Sequence, residues 1–270
     1  MRISRFTIFN WARRQHFSFM KGEPQTPADG KPIDMFEFIT YCARQGIAGA
    51  ELTSYFFPLD AGADYFRRLK QHAFRQGVTI CGTAIGNDFS QGPGDRLAEE
   101  ISAAKSWIDR AIELGAPHVR FFAGTAAELA QDLDHFKYAL DALQRCANHA
   151  AERGVFIGVE NHGNLTADQM LLIVNGVQSD WFGFNLDTGN FQSDDPYRDL
   201  ERCAPYAVNV QVKVKMKHPD GTKYYADLDR VAAILKSANY KGFLVLEYEE
   251  DNPLTQIPAA LATMRRCFFS

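Results

Sequence analysis

The chain has 270 residues, 46% hydrophobic and 23% charged, with 29 Lys plus Arg against 33 Asp plus Glu for a formal net charge of -4. That is the balance of an ordinary globular protein, and its acidic excess argues against nucleic acid or another polyanion as partner. The N-terminal segment MRISRFTIFNWARR lacks the apolar core of a signal peptide, and no apolar run reaches the length of a membrane span. A cytoplasmic protein with no membrane partner is therefore expected.

In chain order, short apolar runs alternate with amphipathic stretches. The runs at residues 3–9, 47–52, 78–84, 118–122, 155–160, 182–187, 208–213 and 243–247 predict strands. The stretches at 35–45, 63–76, 96–114, 127–153, 167–176, 196–204, 228–238 and 253–265 predict helices. In the fourth helix Leu129, Leu133, Phe136, Leu140 and Leu143 recur at three- and four-residue steps, as one buried face requires. Four helices run into a glycine just before the next strand, at Gly46, Gly77, Gly115 and Gly154. A glycine there takes positive φ without a Cβ penalty and closes the helix.

Eight β and eight α units without a linker predict a parallel sheet, and eight is the count that closes a (β/α)8 TIM barrel of one domain over residues 1–270. An open doubly wound sheet is the alternative, disfavoured for dinucleotide binding because the first βα turn lacks GxGxxG. Two longer loops, 21–32 and 86–95, are expected on the C-terminal rim as lids. Cys42, Cys81, Cys146, Cys203 and Cys267 form no CxxC pair and are expected to be small buried hydrophobes in a reducing compartment.

The strand ends carry the chemistry. Glu51, Glu160, Asp187 and Glu247 close the second, fifth, sixth and eighth apolar runs. A charge there is costly unless it is paired or holds a metal, and carboxylates from several strands converge at a barrel mouth as hard oxygen ligands. Along the seventh strand, alternation puts Asn209, Gln211 and Lys213 on one face. The Gln211 carbonyl can meet a hard cation, and Lys213 can meet a substrate oxygen; for Lys213 the competing reading is a solvated strand end. Trp11 can stack on a sugar face or merely close the barrel. Arg120 can clamp a substrate oxygen or bridge Glu51 or Glu160. His162 and Asn190 can touch substrate, or serve as a loop histidine and a turn cap. His218, in a Pro-Asp-Gly turn, is expected in solvent.

The strings VENHG (159–163), NLDTGNF (185–191), QVKVK (211–215) and VLEYE (245–249), with AELTSYFFP (50–58), resemble the sugar phosphate isomerase/epimerase family with the xylose-isomerase-like barrel. The resemblance spans the second to eighth strands, most of the chain. It implies a divalent metal held by Glu160, Asp187, the seventh-strand residue and Glu247, with both glutamates exchanging a proton at a substrate carbon. Many members carry histidine where this chain has Gln211, which shifts the expected ion from Zn²⁺ toward Mg²⁺ or Mn²⁺.

The expected activity is an isomerase or epimerase on a sugar, polyol or keto-sugar, working through an enediolate. The resemblance also covers lyases that dehydrate an inosose, keto-sugar or shikimate-like ring. A two-carboxylate glycoside hydrolase and a non-catalytic sugar-binding barrel rank lower. A nuclease needs more histidines and a basic face. A homo-oligomer is compatible with everything above.

Overall fold

The computed structural model describes residues 6–130 and 133–269. Eight parallel strands close on themselves: β1 (Phe6–Phe9), β2 (Gly49–Thr53), β3 (Thr79–Ala84), β4 (His118–Phe121), β5 (Phe156–Glu160), β6 (Phe182–Asp187), β7 (Ala207–Val212) and β8 (Leu244–Leu246). Each pairs with the next in order and β8 pairs with β1, so no edge is left open. Residues 3–5 of the first predicted strand lie outside the described residues.

The outer shell is formed by α1 (Met35–Arg44), α2 (Ala63–Arg75), α3 (Asp95–Leu114), α4 (Leu133–Ala151), α5 (Ala167–Gly176), α6 (Pro196–Cys203), α7 (Leu228–Ser237) and α8 (Pro253–Phe269). Gly46, Gly77, Gly115 and Gly154 all adopt φ between 62° and 75°, the left-handed turn expected before each following strand. Of the helix expected at 127–153, the structure shows a short turn, Ala126–Leu129, that ends at Ala130, and then α4, while residues 131–132 lie outside the described residues. Both pieces carry apolar residues facing the barrel, so the hydrophobic spacing runs on across the break. Capping boxes at Asp34/Glu37, Thr125/Glu128 and Thr166/Gln169 set three helix starts.

Two apolar layers result. The larger lies between strands and helices, with Phe38, Phe66, Ile108, Leu143, Ile173 and Leu261 buried. A small inner one, Phe9, Ala84 and Val245, fills part of the barrel lumen. The rest of the lumen is polar. All five cysteines are buried and unpaired. Among the described residues no helix is long and apolar enough to cross a membrane.

Neither long loop is a free lid. After β1 the chain makes a 3-10 stretch (Asn10–His16) and a two-stranded hairpin (Phe19–Met20 with Glu23–Pro24), and Phe17 is buried beneath them. The loop after β3 is pinned by Asn87, whose amide donates to the Phe122 carbonyl (2.7 Å) and whose oxygen accepts from the Phe122 N–H (3.0 Å); Phe89 is buried below.

Candidate metal centre at the barrel mouth

Asp187 is the last residue of β6, and its backbone is held on both sides by the residue that follows β5. Asn161 donates to the Asp187 carbonyl (2.9 Å) and accepts from the Asp187 N–H (2.8 Å). The Gly189 N–H then satisfies Asp187 Oδ1 (2.7 Å), which leaves Oδ2 without a hydrogen bond.

Glu160, ending β5, accepts from the Asn190 amide at Oε1 (3.0 Å) and lies 3.2 Å from Arg120 Nε through Oε2. Glu247 follows β8 directly, anchored by its N–H on the Val212 carbonyl (3.0 Å), and its Oε2 has no hydrogen bond. One carboxylate oxygen from each of Glu160, Asp187 and Glu247 lies within 4.8 Å of the others, all three buried.

Lys213 joins this group. Its ammonium is 2.9 Å from Glu249 Oε2, 3.1 Å from Asn190 Oδ1, 3.3 Å from Asp187 Oδ2 and 3.7 Å from Glu247 Oε2. The solvated-edge reading of Lys213 fails, because its side chain is 12% exposed and ringed by acids. Burial disfavours its charge, but Asp187, Glu247 and Glu249 outweigh that and hold its pKa well above the usual lysine value.

The carboxylates are displaced upward too, which for them favours the neutral form. Burial pushes Glu160 up to about 7 against the pull of Arg120, and Asp187 up to about 6 against the pull of Lys213. Glu247 is pushed up well above its ordinary value by the same burial, with Asp187 and Glu249 adding to it. One ammonium and one guanidinium are therefore too little positive charge to hold all three converging carboxylates ionised. Two buried oxygens with free lone pairs, all donors hard, suit a divalent cation.

Below the trio, Glu51 and Gln211 depart from expectation. Strand β2 runs on to Thr53, so Glu51 lies within it rather than at its end, and it is fully buried instead of meeting substrate at the mouth. Its Oε2 accepts from Asn209 (2.7 Å) and its Oε1 from Gln211 Nε2 (3.4 Å). Asn209 also donates to Asn185 Oδ1 (2.7 Å), and Asn185 donates to Gln211 Oε1, closing a ring of four side chains. Gln211 is in register with Asp187, yet both ends of its amide are spent inside the barrel. Burial lifts Glu51 to about 8 against the pull of the Asn209 hydrogen bond and the Arg120 charge.

The other candidates ring the mouth. Arg120 is buried, its guanidinium 4.0 Å over the Phe122 ring and Nη1 unpartnered. The exposed His162 ring packs 4.4 Å from that same phenyl. Asn190 bridges Glu160 and Lys213 rather than capping a turn. Half-buried Trp11 donates to Glu249 Oε1 (3.2 Å) and packs against Tyr55 and Phe56. His218 is exposed as expected, with its ring 4.3 Å from Tyr224.

Sequence reasoning missed Glu249, Asn161 and the Asn185–Asn209 pair. Glu249 stands two residues after Glu247, past the end of β8, so its closeness in sequence to Glu247 was the signal available. His118, at the start of β4, is buried with both ring nitrogens unpartnered, its ring fitted against Gly82 and Gly158, where any Cβ would collide with it.

No curated protein matches the chain. Among solved structures, a xylose isomerase domain protein from Planctomyces limnophilus is 15% identical, with a TM-score of 0.74 over 99% of this chain and 98% of its own. The 3-keto-D-glucoside 4-epimerase of E. coli is 16% identical, with a TM-score of 0.74 over 98% and 100%. The D-psicose 3-epimerase of Clostridium cellulolyticum H10, solved with D-tagatose, is 14% identical, with a TM-score of 0.75 over 97% and 99%. At these identities the likeness is one of fold. The model of the xylose isomerase-like TIM barrel matches residues 39–267, and the chain belongs to that family.

Proposed function

We propose that this protein is a divalent-metal-dependent isomerase or epimerase of a sugar or keto-sugar. The observation that carries the reading is the buried trio of Glu160, Asp187 and Glu247, two of whose oxygens have no hydrogen-bond partner. Their carboxylates would hold the ion. Mg²⁺ or Mn²⁺ suits all-oxygen donors better than Zn²⁺. Gln211, with its amide committed to Asn185 and Glu51, supports the trio from below in this reading, instead of completing the ligand set. The ion supplies Lewis-acid stabilisation of the charge that develops on the substrate oxygen.

The chain's own residues do the rest. Glu160 and Glu247 stand on strands three positions apart around the barrel, so they reach a bound sugar from different sides. One takes the proton from the carbon next to the carbonyl, and the other gives a proton to the opposite face of that carbon; a proton given instead to the former carbonyl carbon moves the carbonyl. Asn190 and Arg120 hold Glu160 in place, and Lys213 meets a substrate oxygen. Trp11, His162 and Arg120 Nη1 line the approach. The unpaired cysteines fit a reducing compartment such as the cytoplasm.

The test is deuterium exchange over a panel of ketoses, keto-sugars and inososes in D₂O. Metal-dependent label at the carbon beside the carbonyl is expected, with Glu160→Gln and Glu247→Gln each abolishing net conversion. Loss of water from the product would assign a dehydratase. Full conversion in excess chelator would overturn the metal dependence on which the proposal rests.

A further inference from the structure

Lys213 presents a problem that the metal reading sharpens. Its ammonium stands 3.3 and 3.7 Å from Asp187 Oδ2 and Glu247 Oε2, the two oxygens left free for a cation. A divalent ion bound to them would lie close to a second positive charge, and such like charges repel strongly in a buried site. Something must keep the lysine off those oxygens.

The stem of Lys213 cannot move far. Its N–H is bonded to Thr188 Oγ1 (3.0 Å), and its Cβ and Cδ lie so close over Gly189 that a Cβ there would stand 2.9 Å from each. Only the last torsions are free, and they choose between partners. The shortest of the ammonium contacts is to Glu249 (2.9 Å), the most exposed of the three carboxylates around it.

Glu249 is itself fastened. Its second oxygen accepts from Trp11 Nε1 (3.2 Å), and its carbonyl accepts from Arg14 Nη2 (3.4 Å), with the Arg14 guanidinium 5.2 Å over the Trp11 ring. The segment after β1 thus braces Glu249, and Glu249 faces Lys213.

We propose that Glu249 is a positioning residue: it draws the Lys213 ammonium to the rim, keeping the trio open to a divalent cation and turning the lysine toward substrate. This rests on the trio being a metal site. Trp11 is then the brace of Glu249 as well as part of the wall.

The experiment is Mn²⁺ binding by titration calorimetry to wild type, Glu249→Gln, Lys213→Met and the double variant, each checked for folding by circular dichroism. Glu249→Gln should weaken Mn²⁺ binding about tenfold or more as the ammonium falls back on Asp187 and Glu247. Lys213→Met should tighten it, and in that background Glu249→Gln should change affinity by no more than about twofold, the mark of coupled sites. Trp11→Phe, which leaves every charge in place, should show a smaller loss of the same sign and stands in if Glu249→Gln does not fold. An equal loss from Glu249→Gln with and without Lys213 would mean that Glu249 acts by charge alone and would overturn the inference. So would weaker binding in Lys213→Met. If neither wild type nor Lys213→Met binds Mn²⁺, the metal reading itself fails and the inference goes with it.

Discussion

Glu51 shows what a single buried carboxyl does to the pH dependence of this fold. In the folded chain it titrates at about 8, against the usual value near 4.5, because burial outweighs its hydrogen bond from Asn209. Below about pH 4.5 both folded and unfolded forms hold the proton. As pH rises the unfolded chain releases it first, so the native state loses stability until about pH 8, above which the loss is complete. Glu51→Gln keeps the shape and still accepts from Asn209. Urea denaturation should find the variant close to wild type at pH 5 and more stable at pH 8, by up to a few kcal/mol; equal differences at the two pH values would refute it. How legible such residues were depended on how local their signal is. Glu160, Asp187 and Glu247 stood out because each closes an apolar run. The ring around Glu51 did not, since Asn209 lies 158 residues away in sequence and only barrel closure brings the two together.

At the level of elements, what fixes the site is the lateral staple between β5 and β6. Asn161 spends its whole side chain on the two backbone groups of Asp187. Asn161→Ala strips a partner from each of those groups, at a cost of about 1–3 kcal/mol for each one left unsatisfied. It should also weaken Mn²⁺ binding, because Asp187 loses its fixed bearing. Chemical denaturation and calorimetry on one preparation would check both; unchanged affinity in a destabilised variant would confine Asn161 to folding. The eight strands were legible because hydrophobic runs and helix-ending glycines are local signals. The break before α4 was not, because the apolar spacing continues across it. The hairpins Phe19–Met20 with Glu23–Pro24 and Lys215–Lys217 with Lys223–Tyr225 are too short to show a period of two, and the first turned an expected lid into packed structure.

For the whole molecule, a ligand that binds only the folded barrel raises its stability by mass action, about 2.7 kcal/mol at a hundredfold excess over Kd. With strand-end carboxylates contributed by β5, β6 and the β8 terminus, a bound ion would tie together three parts of the closed sheet. Saturating Mg²⁺ or Mn²⁺ should therefore raise the melting temperature by several degrees, and chelator should reverse the gain. Scanning calorimetry decides; an unmoved transition would count against a metal centre.

The ring of Glu51, Asn209, Asn185 and Gln211 carries a last consequence, for which sequence changes this barrel tolerates. Each member uses its neighbours' donors and acceptors, so the four positions form one epistatic unit. Placing at 211 the histidine that the resemblance leads one to expect removes an acceptor from Asn185 and changes the donor offered to Glu51. Gln211→His should therefore cost more in the wild-type chain than in an Asn185→Ala background, where the amide it would strand is already gone; urea denaturation of both single variants and the double checks this. The route back to a histidine ligand would then be closed to single steps and open only to paired ones.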